Sequence, residues 1–247
     1  MLIENLKEEP YASILCYPRA NEAELQKRLS ELQKHGVKAI EFAGKASVFN
    51  VPALGKGFVG VAVIAHLNEQ RVALKIRRVD ADRRGLQHEG EMLAKANSVS
   101  VGPKLIAVST DFLLMQFIDG DLLPRWLETQ KEKEQVRTVL LEILEQCWRL
   151  DSINLDHGEL SNAPKHLIVN QEQKPFIVDF ETASVNRRPA NVTAICQYFF
   201  TSHGYLTRRV TEILGEKSSA EVIGALKLYK HDRTRRNFEF LLQTCLV

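Results

Sequence analysis

The chain has 247 residues, 45% hydrophobic and 26% charged, enough to bury one large core or two lobes. Its formal net charge of +2 demands no polyanionic partner, and no run approaches the roughly 18 apolar residues of a membrane helix. Four scattered cysteines (Cys16, Cys147, Cys196 and Cys245) show no C-x-x-C pair or zinc-ligand spacing, so reduced, mostly buried thiols of a cytoplasmic protein are expected. The opening MLIENLKEEP lacks a basic segment ahead of an apolar one, and no signal peptide is expected.

In chain order, YASILCYP reads as a strand. Asn21 is placed to cap a helix through EAELQKRLSELQKHG, with Glu24 three residues on, Leu25, Leu29 and Leu32 on one face, and Gly36 just past its end. VKAIEF follows as a second strand. Residues 1–45 therefore read as a β-α-β extension that packs on the next region. From Ala46 to Ile118 the text is rich in strands: ASVFNVPAL, GKGFVG, VAVIAHL, RVALKIRR, PKLIAVS and DFLLMQFI, with a helix from about Asp82 to Asn97. From residue 119 helices dominate. DLLPRWLETQ and KEQVRTVLLEILEQCWRL are helical, 167–169 and 176–178 form two short strands, and the remainder is helical to the end. Strands first and helices afterwards predict an α+β, bilobal protein with regions 46–118 and 119–247.

GKGFVG sets Gly55, Gly57 and Gly60 in G-x-G-x-x-G spacing. A dinucleotide-binding turn would open a helix here, but β-branched residues follow, so the glycines belong to a hairpin. Such a hairpin can lie over nucleotide phosphates, offering backbone N–H groups where side chains would clash. Taken alone, the motif favours a plain glycine-rich turn; Lys75 shifts that balance. In VALKI its ammonium is half-buried and needs an anion. Glu89 shares a helix face with Leu86, Met92 and Leu93, so this carboxylate on an apolar stripe is the expected partner.

HGELSNAPKHLIV and FIVDFE raise a related question. Glu159, Asn162, Lys165 and His166 precede one short buried strand, and Asp179 follows the next. A surface loop could hold such residues idly, but two such loops in tandem suggest a functional site. The seven histidines include no helical metal pair, which argues against zinc. The arginine pairs at 77–78, 83–84, 187–188, 208–209 and 235–236 are balanced by 31 acids and read as a solvated or salt-bridged surface, with an RNA- or ribosome-facing patch as the alternative.

Taken in order, GKGFVG, VALK, HEGEML, LLMQFIDG, HGEL and IVDFE resemble the protein-kinase-like fold. The specific resemblance is to the atypical RIO kinases, the small kinase of the KEOPS complex, and an uncharacterised archaeal and cyanobacterial group of predicted Ser/Thr protein kinases. It implies a β-rich N-lobe, a reduced helical C-lobe and an ATP- and Mg²⁺-dependent transfer of phosphate to a hydroxyl of a protein or small molecule. Gly55, Gly57 and Gly60 would cover the ATP phosphates, and Lys75 would contact them while paired with Glu89. Met115 would be the gatekeeper, with Gln116, Phe117 and Ile118 as the hinge that reads adenine. Asp179 would bind Mg²⁺, and Glu159 stands where the catalytic aspartate is expected.

Three departures accompany this pattern. The family asparagine is replaced through a two-residue insertion that brings His166 to its place, and imidazole is a poor magnesium ligand, so Asn162 or a water would complete the coordination. Lys165 or His166 would meet the γ-phosphate. Glu181 replaces the glycine of the Asp-Phe-Gly motif, and no Ala-Pro-Glu motif follows. A nucleotide-binding pseudokinase or ATPase switch within a larger assembly is therefore the alternative to an active kinase.

Overall fold

The computed structural model describes residues 1–82 and 85–247. The pair Arg83–Arg84, inside the expected start of the central helix, lies outside the described residues. The chain is α+β and clusters into two compact units, one of residues 1–91 and 104–117 and one of 92–103 and 118–247.

The first unit opens with a 3-10 turn, Ile3–Lys7, and helix α1 (Tyr11–Leu15). This corrects the strand expected at YASILCYP. A short apolar run fits either period, and Pro10, with its restricted φ, occupies the N-cap position of a helix that buries Ala12, Ile14 and Leu15. The amino-terminal segment is thus helical before its strand rather than β-α-β, with one isolated bridge from Leu2 to Ala39. Helix α2 (Glu22–Lys34) starts where the Asn21 side chain accepts from the N–H groups of Ala23 and Glu24. Leu25, Leu29 and Leu32 are buried as their spacing predicts, and Arg28 is buried with them. Gly36 takes φ +76°, the left-handed conformation that ends such helices.

Strands β1 (Val37–Glu41), β2 (Ala46–Val48), β3 (Val51–Ala53), β4 (Gly55–Lys56), β5 (Gly60–Leu67) and β6 (Gln70–Arg77) follow. After helix α3 (Gln87–Ser98) come β7 (Leu105–Val108) and β8 (Phe112–Gln116). The main sheet is antiparallel in the order β1-β5-β6-β8-β7, with β4 also on β5, while β2 and β3 pair as a separate hairpin. Residues of the amino-terminal segment, among them Ile3, Leu15, Leu29 and Ile40, share one buried cluster with Val63, Leu74 and Leu114 of the sheet.

The second unit contains β9 (Gly120–Leu122), α4 (Leu123–Thr129), α5 (Lys133–Ser152), β10 (Leu167–Asn170) and β11 (Pro175–Ile177). Strands β9, β10 and β11 form one small antiparallel sheet. The helix expected from Asp121 begins only after Leu122, because Pro124 near its start suits a first turn and the preceding residues pair with β10 instead. Helices α6 (Asn191–Cys196), α7 (Tyr205–Leu214), α8 (Ser219–His231) and α9 (Arg235–Leu246) complete it, with a π-helical turn at Gln197–Thr201. All four cysteines are free and buried. Among the described residues no helix is long and apolar enough to cross a membrane.

Candidate functional site

In the first unit, Lys75 Nζ donates to Glu89 Oε2 at 2.7 Å, and both side chains are buried. Strand β6 provides the lysine because its other neighbours are apolar, and α3 provides the glutamate from its apolar stripe. Glu91 is exposed. A buried ammonium and carboxylate are tolerable only as a pair. Gly90 lets α3 lie close against β7: a Cβ there would meet the Val108 side chain at 2.8 Å.

The three hairpin glycines are not equivalent. A Cβ on Gly60 would lie 2.8 Å from the Ile76 carbonyl oxygen and 3.1 Å from Lys75 Cγ, so this position is closed to side chains by the lysine strand itself. Gly55 and Gly57 would meet nothing closer than 3.7 Å, so packing does not demand glycine there. The hairpin base is braced by the amino-terminal segment. Lys56 Nζ and the Arg78 guanidinium lie 4.5 and 4.7 Å from the Tyr17 ring centroid. Arg78 also donates to the Gly57 carbonyl at 3.1 Å, and Val79 N–H to the Tyr17 carbonyl at 2.8 Å. Phe58, at the tip, is 93% exposed. Met115 and Gln116 end β8. The Gln116 N–H donates to the Lys104 carbonyl and is already committed; Phe117, beneath the Arg71 guanidinium, and Ile118 follow, both half-buried.

In the second unit, Glu159, His166 and Asp179 come together, their ligand atoms all within 4.8 Å of one another. His166 immediately precedes β10 and Asp179 follows β11 by two residues. The Val178 N–H donates to the His166 carbonyl at 2.9 Å, which pins both to one end of the hairpin. His166 Nε2 lies 3.0 Å from Glu159 Oε2 and Nδ1 lies 3.8 Å from Asp179 Oδ2. The first contact is short but out of line, and neither ring nitrogen makes a hydrogen bond although the residue is 3% exposed. Asp179 has φ +69°, a left-handed conformation that costs a non-glycine residue energy and is met at functional sites. Asn162 and Lys165 are exposed on the preceding turn, and Glu181 is half-buried. The Asn162 N–H donates to the Glu159 carbonyl at 2.8 Å.

The residues that hold this loop were not singled out from sequence. Asp151, buried at the end of α5, accepts from Asn191 N–H and Nδ2 and from the Tyr229 hydroxyl at 2.9 Å. Burial raises its carboxyl above the usual range against those hydrogen bonds. Asn191 in turn donates to the Leu155 carbonyl and accepts from His157 N–H at 2.9 Å. The His157 ring, fully buried, donates Nε2–H to the Val178 carbonyl, and its pKa is lowered to about 4, chiefly by burial, so it is neutral at pH 7. Gly158 has φ +90°, and a Cβ there would meet the Arg187 guanidinium and Thr182. Asp151 lay on the apolar stripe of α5, the same signal that singled out Glu89.

The arginine pairs are largely occupied. Arg77, Arg78, Arg187, Arg209 and Arg235 each contact a carboxylate within 3.0 Å, which favours the salt-bridged reading of these pairs.

A sheet unit holding a buried Lys–Glu pair, and a helical unit holding acids at the mouth of a β-hairpin, define a protein of the kinase-like class. The RIO domain family model matches residues 65–196, more than half of the chain, and the chain belongs to that family of atypical, kinase-like, ATP-binding phosphotransferases. The match includes Lys75, Glu89, Glu159, His166 and Asp179 but begins after the glycine hairpin. The chain is also 28% identical over 100 residues to an uncharacterised protein of Methanocaldococcus jannaschii, across 40% of this chain and 83% of that protein. The family's magnesium requires oxygen donors. The carboxylates of Asp179 and Glu159 are oxygen donors; the imidazole of His166, buried beside them, is not.

Proposed function

We propose that this chain is an ATP-dependent kinase that transfers the γ-phosphate to a serine or threonine hydroxyl, on a protein or a small molecule. The observation that carries this reading is the buried Lys75–Glu89 pair beside a hairpin whose Gly55 and Gly57 have no packing reason to be glycine. Residues 46–118 form the nucleotide-binding lobe, residues 119–247 the reduced catalytic lobe, and residues 1–45 an extension that braces the hairpin. Gly55, Gly57 and Gly60 offer backbone to the phosphates, and Lys75, oriented by Glu89, contacts the α- and β-phosphates. Met115 is the gatekeeper, and Gln116 (through its carbonyl), Phe117 and Ile118 border the adenine.

Glu159 orients the acceptor hydroxyl and takes its proton as the oxygen–phosphorus bond forms and ADP leaves. Its side chain is 40% exposed, which suits a group that must meet an acceptor. A divalent cation at Asp179 neutralises phosphate charge when bound, with Asn162 an exposed candidate for further coordination. Lys165, also exposed, can meet the γ-phosphate. Glu181 favours a second reading: a carboxylate beside the metal position adds charge where phosphate must approach, as suits a nucleotide-binding switch or slow ATPase. Incubation with γ-labelled ATP separates the two. Label on serine or threonine is expected, whereas release of free phosphate alone, or no turnover, would establish the switch.

A further inference from the structure

We propose that Glu159, His166 and Asp179 build a site for a divalent first-row transition ion of the Mn²⁺, Co²⁺ or Zn²⁺ class, in which His166 is a direct ligand and the site prefers such ions to Mg²⁺. This deepens the phosphotransfer reading and rests on it for the role of Asp179. The starting observation is His166 itself. It is 3% exposed, both ring nitrogens lack hydrogen bonds, and they lie 3.0 and 3.8 Å from two carboxylates. Leaving a buried polar group without a partner is unfavourable, so a ring in this position needs a ligand.

A simple histidine–carboxylate hydrogen bond does not account for the arrangement. The Glu159 contact is close enough for one but misaligned, and it would leave Nδ1 facing Asp179 across a gap too long for hydrogen bonding. An ion at that gap meets both needs. Bonds of about 2.0–2.2 Å place neighbouring donors roughly 3–3.5 Å apart, so the Nδ1 to Oδ2 separation of 3.8 Å closes with a few tenths of an ångström of movement. The same small movement lets Nε2–H, 3.0 Å from Glu159 Oε2, come into line with that carboxylate, the arrangement in which a carboxylate fixes the tautomer of a metal-bound histidine. The two donors come from residues on either side of the hydrogen bond between His166 and Val178, so their spacing is held by the hairpin.

Donor chemistry sets the preference. Mg²⁺ demands oxygen ligands and gains little from imidazole, whereas ions from Mn²⁺ to Zn²⁺ accept a mixed nitrogen and carboxylate set. Glu159 acts here by orienting His166, which leaves its role toward the acceptor intact.

The test uses the full chain, stripped of metal with a chelator and titrated with Co²⁺ or Mg²⁺ in the absence of nucleotide. Co²⁺ is expected to bind with a ligand-field absorption band, roughly tenfold or more tighter than Mg²⁺. His166→Asn should lose roughly ten- to hundredfold of the Co²⁺ affinity and keep that for Mg²⁺. Equal Co²⁺ affinity in parent and folded variant overturns the proposal. If the variant does not fold, Mn²⁺ broadening of the histidine ring resonances in the unaltered protein decides: selective loss of the His166 signals at low Mn²⁺ supports the site, and uniform broadening overturns it. ATP titrations of the same samples with Mg²⁺ present distinguish two failures. Nucleotide binding without a Co²⁺ site removes this inference alone, and absence of both removes the kinase reading with it.

Discussion

Asp111→Ala is expected to destabilise the first unit by about 3–5 kcal/mol, the cost of leaving a buried ion-pair partner uncompensated. The carboxylate is fully buried and accepts from Lys27 at 2.6 Å, Arg28 at 3.0 Å and Arg77 at 2.9 Å. Arg28 is itself fully buried, with further bonds to the carbonyls of Leu15 and Arg77. These contacts join α1, α2, β6 and the turn that enters β8, so the amino-terminal segment is fastened to the sheet by charge as well as by apolar packing. Burial alone would raise the Asp111 carboxyl, but the three cations outweigh it and hold it below the usual carboxylate range. A depressed carboxylate stabilises the fold above its unfolded pKa of about 3.9, and this contribution is lost as pH falls through the lower folded value. Urea unfolding at pH 7 measures the effect. A loss below about 1 kcal/mol would place Arg28 in a site that tolerates it without Asp111, against the burial observed.

Glu159→Gln is expected to slow phosphate transfer by roughly a hundredfold or more, the range for losing an acid–base group, with ATP affinity nearly unchanged. The amide keeps an oxygen that His166 can donate to and removes only the ability to take a proton. The pattern to look for is a fall in kcat and kcat/KM together without a rise in the KM for ATP. Transfer at the parental rate by the folded variant would show that this acid has no chemical part, and the switch reading would gain.

Much of this architecture was legible because it depends on local spacing. The Asn21 cap, the leucine stripe of α2, the strand at VALKI and the partner of Lys75 all follow from residues three or four apart or from alternating burial. The misreadings have equally local causes. YASIL is too short for periodicity to choose between helix and strand, and the start of DLLPRWLETQ joins a sheet whose other strands lie nearly fifty residues on. The Asp111 network could not be read, since its cations lie 34, 83 and 84 residues away. His166 is an intermediate case. Its displacement from the family pattern was visible, but helical spacing reveals only metal pairs within one helix, whereas this cluster is assembled by a turn and a β-hairpin.

The most direct test of the central claim is a calorimetric titration of ATP with Mg²⁺ into the full chain and into Lys75→Met, each checked for folding by circular dichroism. Saturable binding of one nucleotide per chain is expected for the parent. The variant should be weaker by about 1.5–3 kcal/mol, the worth of a hydrogen bond to a charged group, or roughly ten- to a hundredfold. Absence of saturable binding to the parent, or equal affinity in a folded Lys75→Met protein, would contradict the assignment of a nucleotide-binding kinase site.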